Sequence, residues 1–491
     1  MKSKEHNMNL DKSITGVQIT LAKKAKENPD NQFGRLYGTI AKEYWLKTAL
    51  FNVLRNEKSN TLRIDEIEQR NIKDFDRLVF DLNKELVDFT YKPQPVKKVY
   101  ITKANGKIRP LGVSIVKDRV VQEAIRLILE PIMESHFLDC SNGFRPSRTT
   151  MDSIQLLTEF LNNKNKMWWV VEGEIRGCFD NIPHQQLLKV IGKYIKDKKF
   201  LYLISKILKA GIVEKGVISK PNKGTSQAGI LSPLLANIYF HEIDLYWWKK
   251  YGSLTESEKI ARRSNGLGNV EFVRYADEFL LLTNGDKEFA RNISQEFTKK
   301  LWEWELELKS DRGLVHINDG IDFQGFHLLR VHSKANNKRI VLVTPSKKNI
   351  DRFKDKIKQM TSFKEVNVNI VSRIKSINRA IEDWCEYYRF ANSSDLFKNL
   401  DRWINERMYL WLRKKHANVS SKMSVQKYVL QTYLVKDTRG WKTWGYAGVN
   451  LRHTYETKLA KYKIKWGEQR NPYLDYGCSQ MKAEEDKPIK D

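Results

Sequence analysis

The sequence predicts an α+β fold, and three observations carry that expectation. Apolar residues recur at helical spacing through most of the first 90 residues and again between Trp384 and Trp411. Between these regions, short apolar runs bounded by turn residues read as strands. Two of those runs lead into carboxylates, at Glu172–Asp180 and at Asp277–Glu278. With 491 residues the chain can build two or three domains around a substantial core.

Residues from about 12 to 90 read as largely helical and amphipathic, with Tyr37, Ile40, Ala41, Tyr44 and Trp45 on one face. A polar loop is expected over 56–65. A further helix around Phe75 to Val87 must end before Tyr91-Lys92-Pro93-Gln94-Pro95, where the prolines impose extended backbone. Val96 to Ile101 reads as a strand, Lys103 to Lys107 as a turn, and Ile108 to Gly112 as the return strand. The cations on this hairpin suit phosphate; a solvated basic hairpin is the alternative. Residues 116–130 are expected to be helical, with Val120, Ala124, Ile125, Leu127 and Ile128 on the apolar side, and Ser141 to Arg148 to form a basic turn.

Trp168 to Val171 predicts a strand that runs into Glu172-Gly173-Glu174-Ile175-Arg176-Gly177-Cys178-Phe179-Asp180. Lys223 to Tyr239 begins with small residues, which admit a ligand close to the backbone, and Ser232-Pro233 opens a helix. In Val273 to Leu282 two adjacent carboxylates sit at a turn between apolar runs. Such a pair is costly to bury unless a cation or hydrogen bonds satisfy it; a water-facing hairpin tip is the bland reading.

Lysine and arginine number 87 against 59 acidic residues, a net charge of +28. That excess points to a polyanion, with nucleic acid the default. Most of the aromatic residues are expected in the core, although they also offer faces for bases. Cys140, Cys178, Cys385 and Cys478 show no paired spacing, which argues against a zinc knuckle, a disulfide framework or a disulfide-linked partner. No apolar run approaches a membrane span, so no membrane partner is expected. The residues after Met1 lack the apolar core of a signal peptide.

Strand-borne carboxylates of this kind are how polymerase palms deliver metal ligands. Two divalent ions about 4 Å apart activate the primer hydroxyl and stabilise the leaving group, and oxygen ligands suit magnesium. At these residues the chain resembles the reverse transcriptase–maturases encoded by mobile group II introns. The resemblance covers Tyr91 to Gly112, Asn142 to Arg148, Glu172 to Ile182, the glycine loop, Tyr275-Ala276-Asp277-Glu278, and Asn318 to His327. Ile377 to Arg389, Leu400 to Ile404 and Trp411 to His416 resemble the maturase, or X, domain. Asn471-Pro472-Tyr473-Leu474 resembles the segment that follows it, and no endonuclease module is expected after that.

The resemblance implies right-hand polymerase fingers and palm, the palm an antiparallel sheet backed by helices, followed by an α-helical thumb. It implies an N-terminal helical extension at 1–90, fingers and palm at 91–335, thumb and X domain at 336–425, a basic segment like the DNA-binding region at 426–476, and a disordered tail at 477–491. Glu174, Asp277 and Glu278 occupy the three catalytic, metal-binding carboxylate positions. Lys103 and Arg109 are expected to hold the incoming triphosphate, Phe179 to exclude a ribose 2′-hydroxyl and Gln227 to position the nucleotide. RNA contacts are expected from Lys97, Lys98, Lys107, Arg145, Arg148, Arg402, Arg407, Arg413, Lys414 and Lys415. Trp384, Tyr388, Leu400, Ile404 and Trp411 are expected in the core.

The chain departs from the family pattern where it matters for polymerisation. The family has aspartate at Glu174 and Glu278, proline at Ser226, glycine at Ala228 and usually lysine at Arg312. Glutamate is one methylene longer, and magnesium tolerates little distortion at metal–oxygen distances of about 2.0–2.1 Å. Three readings follow. The first is a splicing maturase that binds intron RNA with polymerase activity reduced or lost. The second is an active, magnesium-dependent reverse transcriptase that supports intron mobility and also engages target DNA. The third is a basic RNA-binding protein or a reverse transcriptase recruited to another role. A plastid is the preferred compartment and a bacterial cytoplasm the alternative.

Overall fold

The computed structural model describes residues 2–57, 75–102, 108–162, 167–214, 216–219, 222–225, 229–309, 313–333, 337–417, 430–436, 440, 442–464 and 470–475. The chain divides into two compact units. The first comprises Met1–Ser153, Trp169–Leu314 and Lys465–Asp491, the second Ile154–Trp168 and Val315–Ile464. The fold is mixed α+β, as the sequence predicts.

In the first unit, α1 (Lys2–Glu27) and α2 (Glu43–Glu57) pack against α4 (Val116–Glu134), with α3 (Phe75–Val87) beside α2. α4 is buried on nearly every side. Pro131 lies inside it and has no N–H to return to the Leu127 carbonyl; the Gln18 side chain donates to that oxygen instead, at 2.9 Å. The expected continuous helix through Tyr37 and Trp45 is interrupted. Tyr37–Ile40 forms a single turn and α2 begins at Glu43. The two aromatics are held by different partners: the Tyr37 hydroxyl donates to Leu86 O at 2.8 Å, and the Trp45 indole donates to Ala124 O at 2.9 Å. The Ala41 carbonyl left at the break accepts from the Asn83 amide. The loop expected at 56–65 lies largely outside the described residues.

One sheet runs, in spatial order, Ile108–Val113, Val96–Thr102, Ile212–Glu214 and Val217–Ser219. β1 (Val96–Thr102) and β2 (Ile108–Val113) form the expected antiparallel hairpin, with Lys97 opposite Val113 and Thr102 opposite Ile108. β4 (Ile212–Glu214) joins β1 in parallel, and β5 (Val217–Ser219) turns back on it.

The sheet that carries the carboxylates is antiparallel, with β7 (Glu278–Thr283) between β6 (Val270–Tyr275) and β3 (Trp169–Glu174). Phe279 to Leu282 are all buried, which explains why this stretch is continuously apolar rather than alternating. Helices back the sheet: α8 (Ser232–Trp247) and α10 (Lys287–Glu303). The Phe279 and Phe297 rings lie 4.0 Å apart, and Phe297 stacks on Trp247. The first unit also holds α6 (His184–Ile191), α7 (Lys198–Leu208) and α9 (Glu256–Ser264). α5 (Thr150–Leu161) and β8 (Gly313–His316) each span a point where the chain passes from one unit to the other.

Most of the second unit runs from Val315 to Ile464, and it has a sheet of its own. β10 (Phe326–Ser333) lies between β9 (Ile321–Phe323) and β11 (Lys338–Pro345), and β11 is tied to the helices that follow. Asn392 N donates to Val343 O at 2.7 Å, and Val343 N donates to the Asn392 side chain at 3.1 Å. α11 (Lys347–Met360), α12 (Ile370–Tyr388) and α13 (Ser394–Lys415) enclose a core of Phe353, Ile357, Ile374, Ile381, Tyr388, Leu400, Ile404 and Trp411. A small sheet of β12 (Leu434–Lys436), β13 (Lys442–Tyr446) and β14 (Val449–Asn450) follows.

Among the described residues no helix is long and apolar enough to cross a membrane, and Cys140, Cys178 and Cys385 are unbridged. The tail expected at 477–491 lies outside the described residues.

Candidate active site and nucleic-acid interface

The turn that joins β6 to β7 is only two residues long, Ala276 and Asp277, because Tyr275 pairs directly with Glu278. Tight hairpins need a positive φ at a central position, and Ala276 adopts φ +56° without being glycine. A buried framework holds it there. Arg274 is 1 % exposed and forms a bidentate pair with Asp244, itself 0 % exposed, at 2.8 and 2.6 Å. Its remaining terminal nitrogen donates to Ala276 O at 2.9 Å and to Asn237 Oδ1 at 3.0 Å. Asn237 in turn donates to Gly143 O at 2.8 Å. Gly143 lies so close to the turn that a Cβ there would stand 2.2 Å from Ala276 N.

The register brings the three expected carboxylates to one end of the sheet. Glu174, the last residue of β3, lies directly opposite Glu278, and Ile175 N donates to Asp277 O at 3.0 Å. Gly173 precedes Glu174 because the Phe279 ring crosses it; a Cβ there would lie 1.9 Å from that ring. Burial, reinforced by the Glu174 charge, holds the Asp277 carboxyl above its usual range. Burial also pushes the neighbouring Cys178 thiol up, with Asp277 adding to the effect.

The Lys309 ammonium lies 2.6 Å from Glu174 Oε1. Among the described residues no three Asp, Glu, His or Cys side chains converge closely enough to hold a metal ion. A carboxylate already bound to an ammonium, in a set that does not converge, does not fit octahedral magnesium.

The glycine loop is anchored to the turn that follows β3. Gly224 N donates to Ile182 O at 2.8 Å, Thr225 N to Phe179 O at 2.5 Å, and the Gly224 carbonyl lies 2.6 Å from His184 Nε2. Gly224 has φ +92°, and a Cβ there would lie 2.8 Å from Asp180 O. Phe179 is half-buried, with its ring 5.8 Å from that of Phe144, an exposed residue at φ +58°. Ser226, Gln227, Ala228 and Arg312 lie outside the described residues, as do Lys103, Lys107 and the Arg109 side chain; the Arg109 backbone pairs with Ile101.

The expected RNA-binding cations divide into two groups. Arg145 and Arg148 are structural. Arg145 and Glu134 are each 1 % exposed and form an ion pair at 2.9 Å, and Arg145 also donates to Leu138 O and Ser141 O. Arg148 is buried against Asp139 and Asn142. Both guanidiniums are turned inward, because the acids on α4 and in the segment after it face them. Arg407 donates twice to Thr361, and the Lys415 ammonium donates to Val366 O and Val368 O, so these two brace the segment between α11 and α12. Arg402, Arg413 and Lys414 are exposed on α13, and Lys97 is exposed on β1. Lys98 pairs with Glu214 at 2.9 Å.

Sequence reasoning missed Gly143, Asn237, Asp244, Arg274, Lys309 and Arg470. Arg470 is 2 % exposed; it donates to Asn142 Oδ1 at 2.7 Å and pairs with Asp139 and Asp152 at 3.3 and 3.4 Å. A lone arginine inside the apolar run Val273-Arg274-Tyr275 was a signal that a buried acid must exist. Nothing in the spacing identified which one.

Residues 101–328 match the reverse transcriptase (RNA-dependent DNA polymerase) family, and residues 350–429 match the group II intron, maturase-specific domain. The chain is 32% identical over 357 residues to protein YkfC of Escherichia coli, a match covering 68% of this chain and 93% of that one. It is 28% identical over 542 aligned residues to the group II intron-encoded protein LtrA of Lactococcus lactis, covering 95% of this chain and 84% of that one. A stretch of 240 residues is 36% identical to an uncharacterized 91 kDa protein in the cob intron of Schizosaccharomyces pombe, covering 48% of this chain and 28% of that one.

Proposed function

The chain belongs to the family of group II intron-encoded reverse transcriptases and maturases, and on that premise we propose that it acts as a maturase, binding a group II intron RNA and promoting its splicing with polymerase activity reduced or lost. A contrast between two surfaces carries this reading. Within the maturase-specific match, α13 buries Leu400, Ile404 and Trp411 and presents Arg402, Arg413 and Lys414 outward. This is a rigid helix with cations available to phosphate. At the carboxylate turn, by contrast, two of the three expected aspartates are glutamates, and one of these is bound by a lysine.

A maturase of this kind works by preferential binding. Affinity for the folded intron over misfolded forms shifts the RNA population toward the active fold. The RNA itself then carries out both transesterifications. Reverse transcriptases generally use divalent metal ions; magnesium at Glu174, Asp277 and Glu278 belongs to the second reading, retained polymerisation in support of mobility with target DNA as a further partner. One observation favours that reading: both substituted carboxylates, Glu174 and Glu278, are still carboxylates, and they face each other across the sheet.

Relatives come from bacteria, from yeasts and from plants; a bacterial cytoplasm stands beside the plastid as the compartment where protein and intron transcript meet. The test is splicing of the cognate intron in vitro. Purified protein is expected to lower the magnesium concentration needed for splicing; an unchanged requirement overturns the maturase reading.

A further inference from the structure

We propose that Phe363, in the segment between α11 and α12, is a stacking platform for one unpaired RNA base. The inference rests on the reading above that α13 presents its cations to intron RNA. Phe363 is 70% exposed, yet the segment that carries it is fixed. Phe363–Glu365 forms a single 3-10 turn, and side chains of α12 and α13 bind the backbone around it. Arg407 holds Thr361 before the ring. After it, the Trp411 indole donates to Glu365 O at 3.2 Å, the Arg373 guanidinium pairs with the Glu365 carboxylate at 2.7 Å, and the Lys415 ammonium donates to Val366 O at 2.7 Å and Val368 O at 3.1 Å. The chain is therefore anchored on both sides of Phe363, and the exposed ring stands on a rigid support.

The surroundings of the ring identify its partner. The Lys414 ammonium lies 5.0 Å from the ring centroid. Lys364 follows Phe363 in the chain and Arg413 precedes Lys414, and all three cations are exposed. The one acid of the turn, Glu365, is taken by Arg373. An aromatic face beside cations fits a group that is flat and anionic at once, as a nucleotide is: the base stacks on the phenyl ring and its phosphate meets the ammonium. An apolar protein partner would instead strip water from Lys364 and Lys414 and return no counter-charge. Within a duplex both faces of a base are already covered, so the ring can accept only a base from a loop, a bulge or a single strand. Phosphate contacts by Arg402, Arg413 and Lys414 read charge alone; Phe363 gives the same surface a way to tell unpaired from paired RNA.

Fluorescence anisotropy of the full-length protein with a short labelled oligoadenylate, and with a labelled RNA duplex of the same length, tests this. Phe363→Ala is expected to weaken oligoadenylate binding about 5- to 20-fold, the lower part of what stacking on one aromatic ring contributes. The preference for oligoadenylate over duplex is expected to fall by the same factor. Phe363→Trp, which keeps a flat face, is expected to retain both. No charge is removed, so the salt dependence of binding is expected to stay as in the unmodified protein, and the melting temperature is expected to hold because the ring is exposed. Unchanged oligoadenylate affinity in Phe363→Ala overturns the inference, as does an equal loss toward the duplex, or no oligoadenylate binding by any of the proteins. A loss that Phe363→Trp does not restore, with a lowered melting temperature, makes Phe363 a structural residue and overturns it as well. So does Phe363→Ala abolishing self-association in sedimentation while leaving RNA binding intact, which assigns the ring to a contact between copies. Splicing of the cognate intron by the same proteins separates the two readings. Splicing promoted equally by the unmodified and Phe363→Ala proteins, with a flat oligoadenylate response, overturns the stacking site alone. No promotion of splicing by the unmodified protein overturns the maturase reading and leaves the oligoadenylate result standing.

Discussion

Replacing Arg402, Arg413 and Lys414 together by alanine is expected to change the salt dependence of intron RNA binding, whereas Arg407→Ala is not. All four residues lie on α13, yet the structure gives them different surroundings. The first three are exposed, while Arg407 donates to Thr361 Oγ1 and Thr361 O, both at 3.2 Å. Each phosphate contact contributes about 0.7 to 0.9 to the slope of log affinity against log salt. Losing three contacts should make that slope shallower by roughly 2 to 2.7. Between 50 and 200 mM potassium chloride the unmodified protein should therefore lose about 20- to 40-fold more affinity than the triple variant. Arg407→Ala should instead lower stability, by about 1.5–3 kcal/mol for hydrogen bonds from a charged group, and leave the slope unchanged. Fluorescence anisotropy over a salt series, with urea unfolding alongside, measures both quantities. A triple variant with the unmodified slope, or an Arg407→Ala protein whose slope falls as far as that of the triple variant, would refute the assignment of these helical cations.

Two further outcomes follow from buried groups. Asp244→Ala leaves the Arg274 guanidinium buried without its counter-ion and should destabilise the first unit by about 3–5 kcal/mol in urea unfolding; a loss under about 1 kcal/mol would contradict the buried bidentate pair. Burial lowers His136 to about 4 and His241 to about 3, from 6.5. Both are neutral in the fold and protonated in the unfolded chain below pH 6.5. Their stabilising contribution is therefore complete above pH 6.5 and is lost as pH falls toward 4, by on the order of 3 kcal/mol for His136 alone. Stability measured against pH should show this acid limb, and His136→Gln should remove roughly half of it; an unaltered limb would sink the attribution.

The elements most legible in the sequence were those with strong local pattern. The apolar side of α4, the β1–β2 hairpin and the β6–β7 turn formed where periodicity and turn residues placed them. The meeting of Glu174 with Asp277 and Glu278 was legible only through the resemblance, since pairing across more than 100 residues leaves no local trace. Charge misled where partners were distant. Arg145 and Arg148 read as a basic turn, but Glu134 and Asp139 precede them and turn both guanidiniums inward. Arg470 closes on Asp139, Asn142 and Asp152 from more than 300 residues away. A cation count establishes that a polyanion is a fitting partner; it cannot tell a phosphate-binding arginine from one that holds the fold together. The tie between the sheet and the helices of the second unit is silent in the sequence for a similar reason, because β11 is held by Asn392 rather than marked by any change in residue type.

At the carboxylate turn the framework is physically separate from the three carboxylates, and on the proposed reading polymerase activity turns on the length of the side chains at 174 and 278. Arg274, Asp244, Asn237 and Gly143 fix the Ala276–Asp277 backbone from beneath, and none of them depends on the identity of residue 174 or 278. Glu174→Asp/Glu278→Asp should therefore fold and bind RNA as the unmodified protein does. On that reading each glutamate sets its carboxylate one bond farther out than the aspartate expected there, and a displacement of roughly 1 Å at a reacting centre costs about 10²-fold. Primer extension on an RNA template with magnesium should then be at least about 10²-fold faster in the double variant, with the single replacements non-additive because the carboxylates act together. Equal extension by both proteins would show that the glutamates are tolerated and would promote mobility to the leading reading. Silence in both, with RNA binding intact, would move the lesion to Ser226, Ala228 or Arg312.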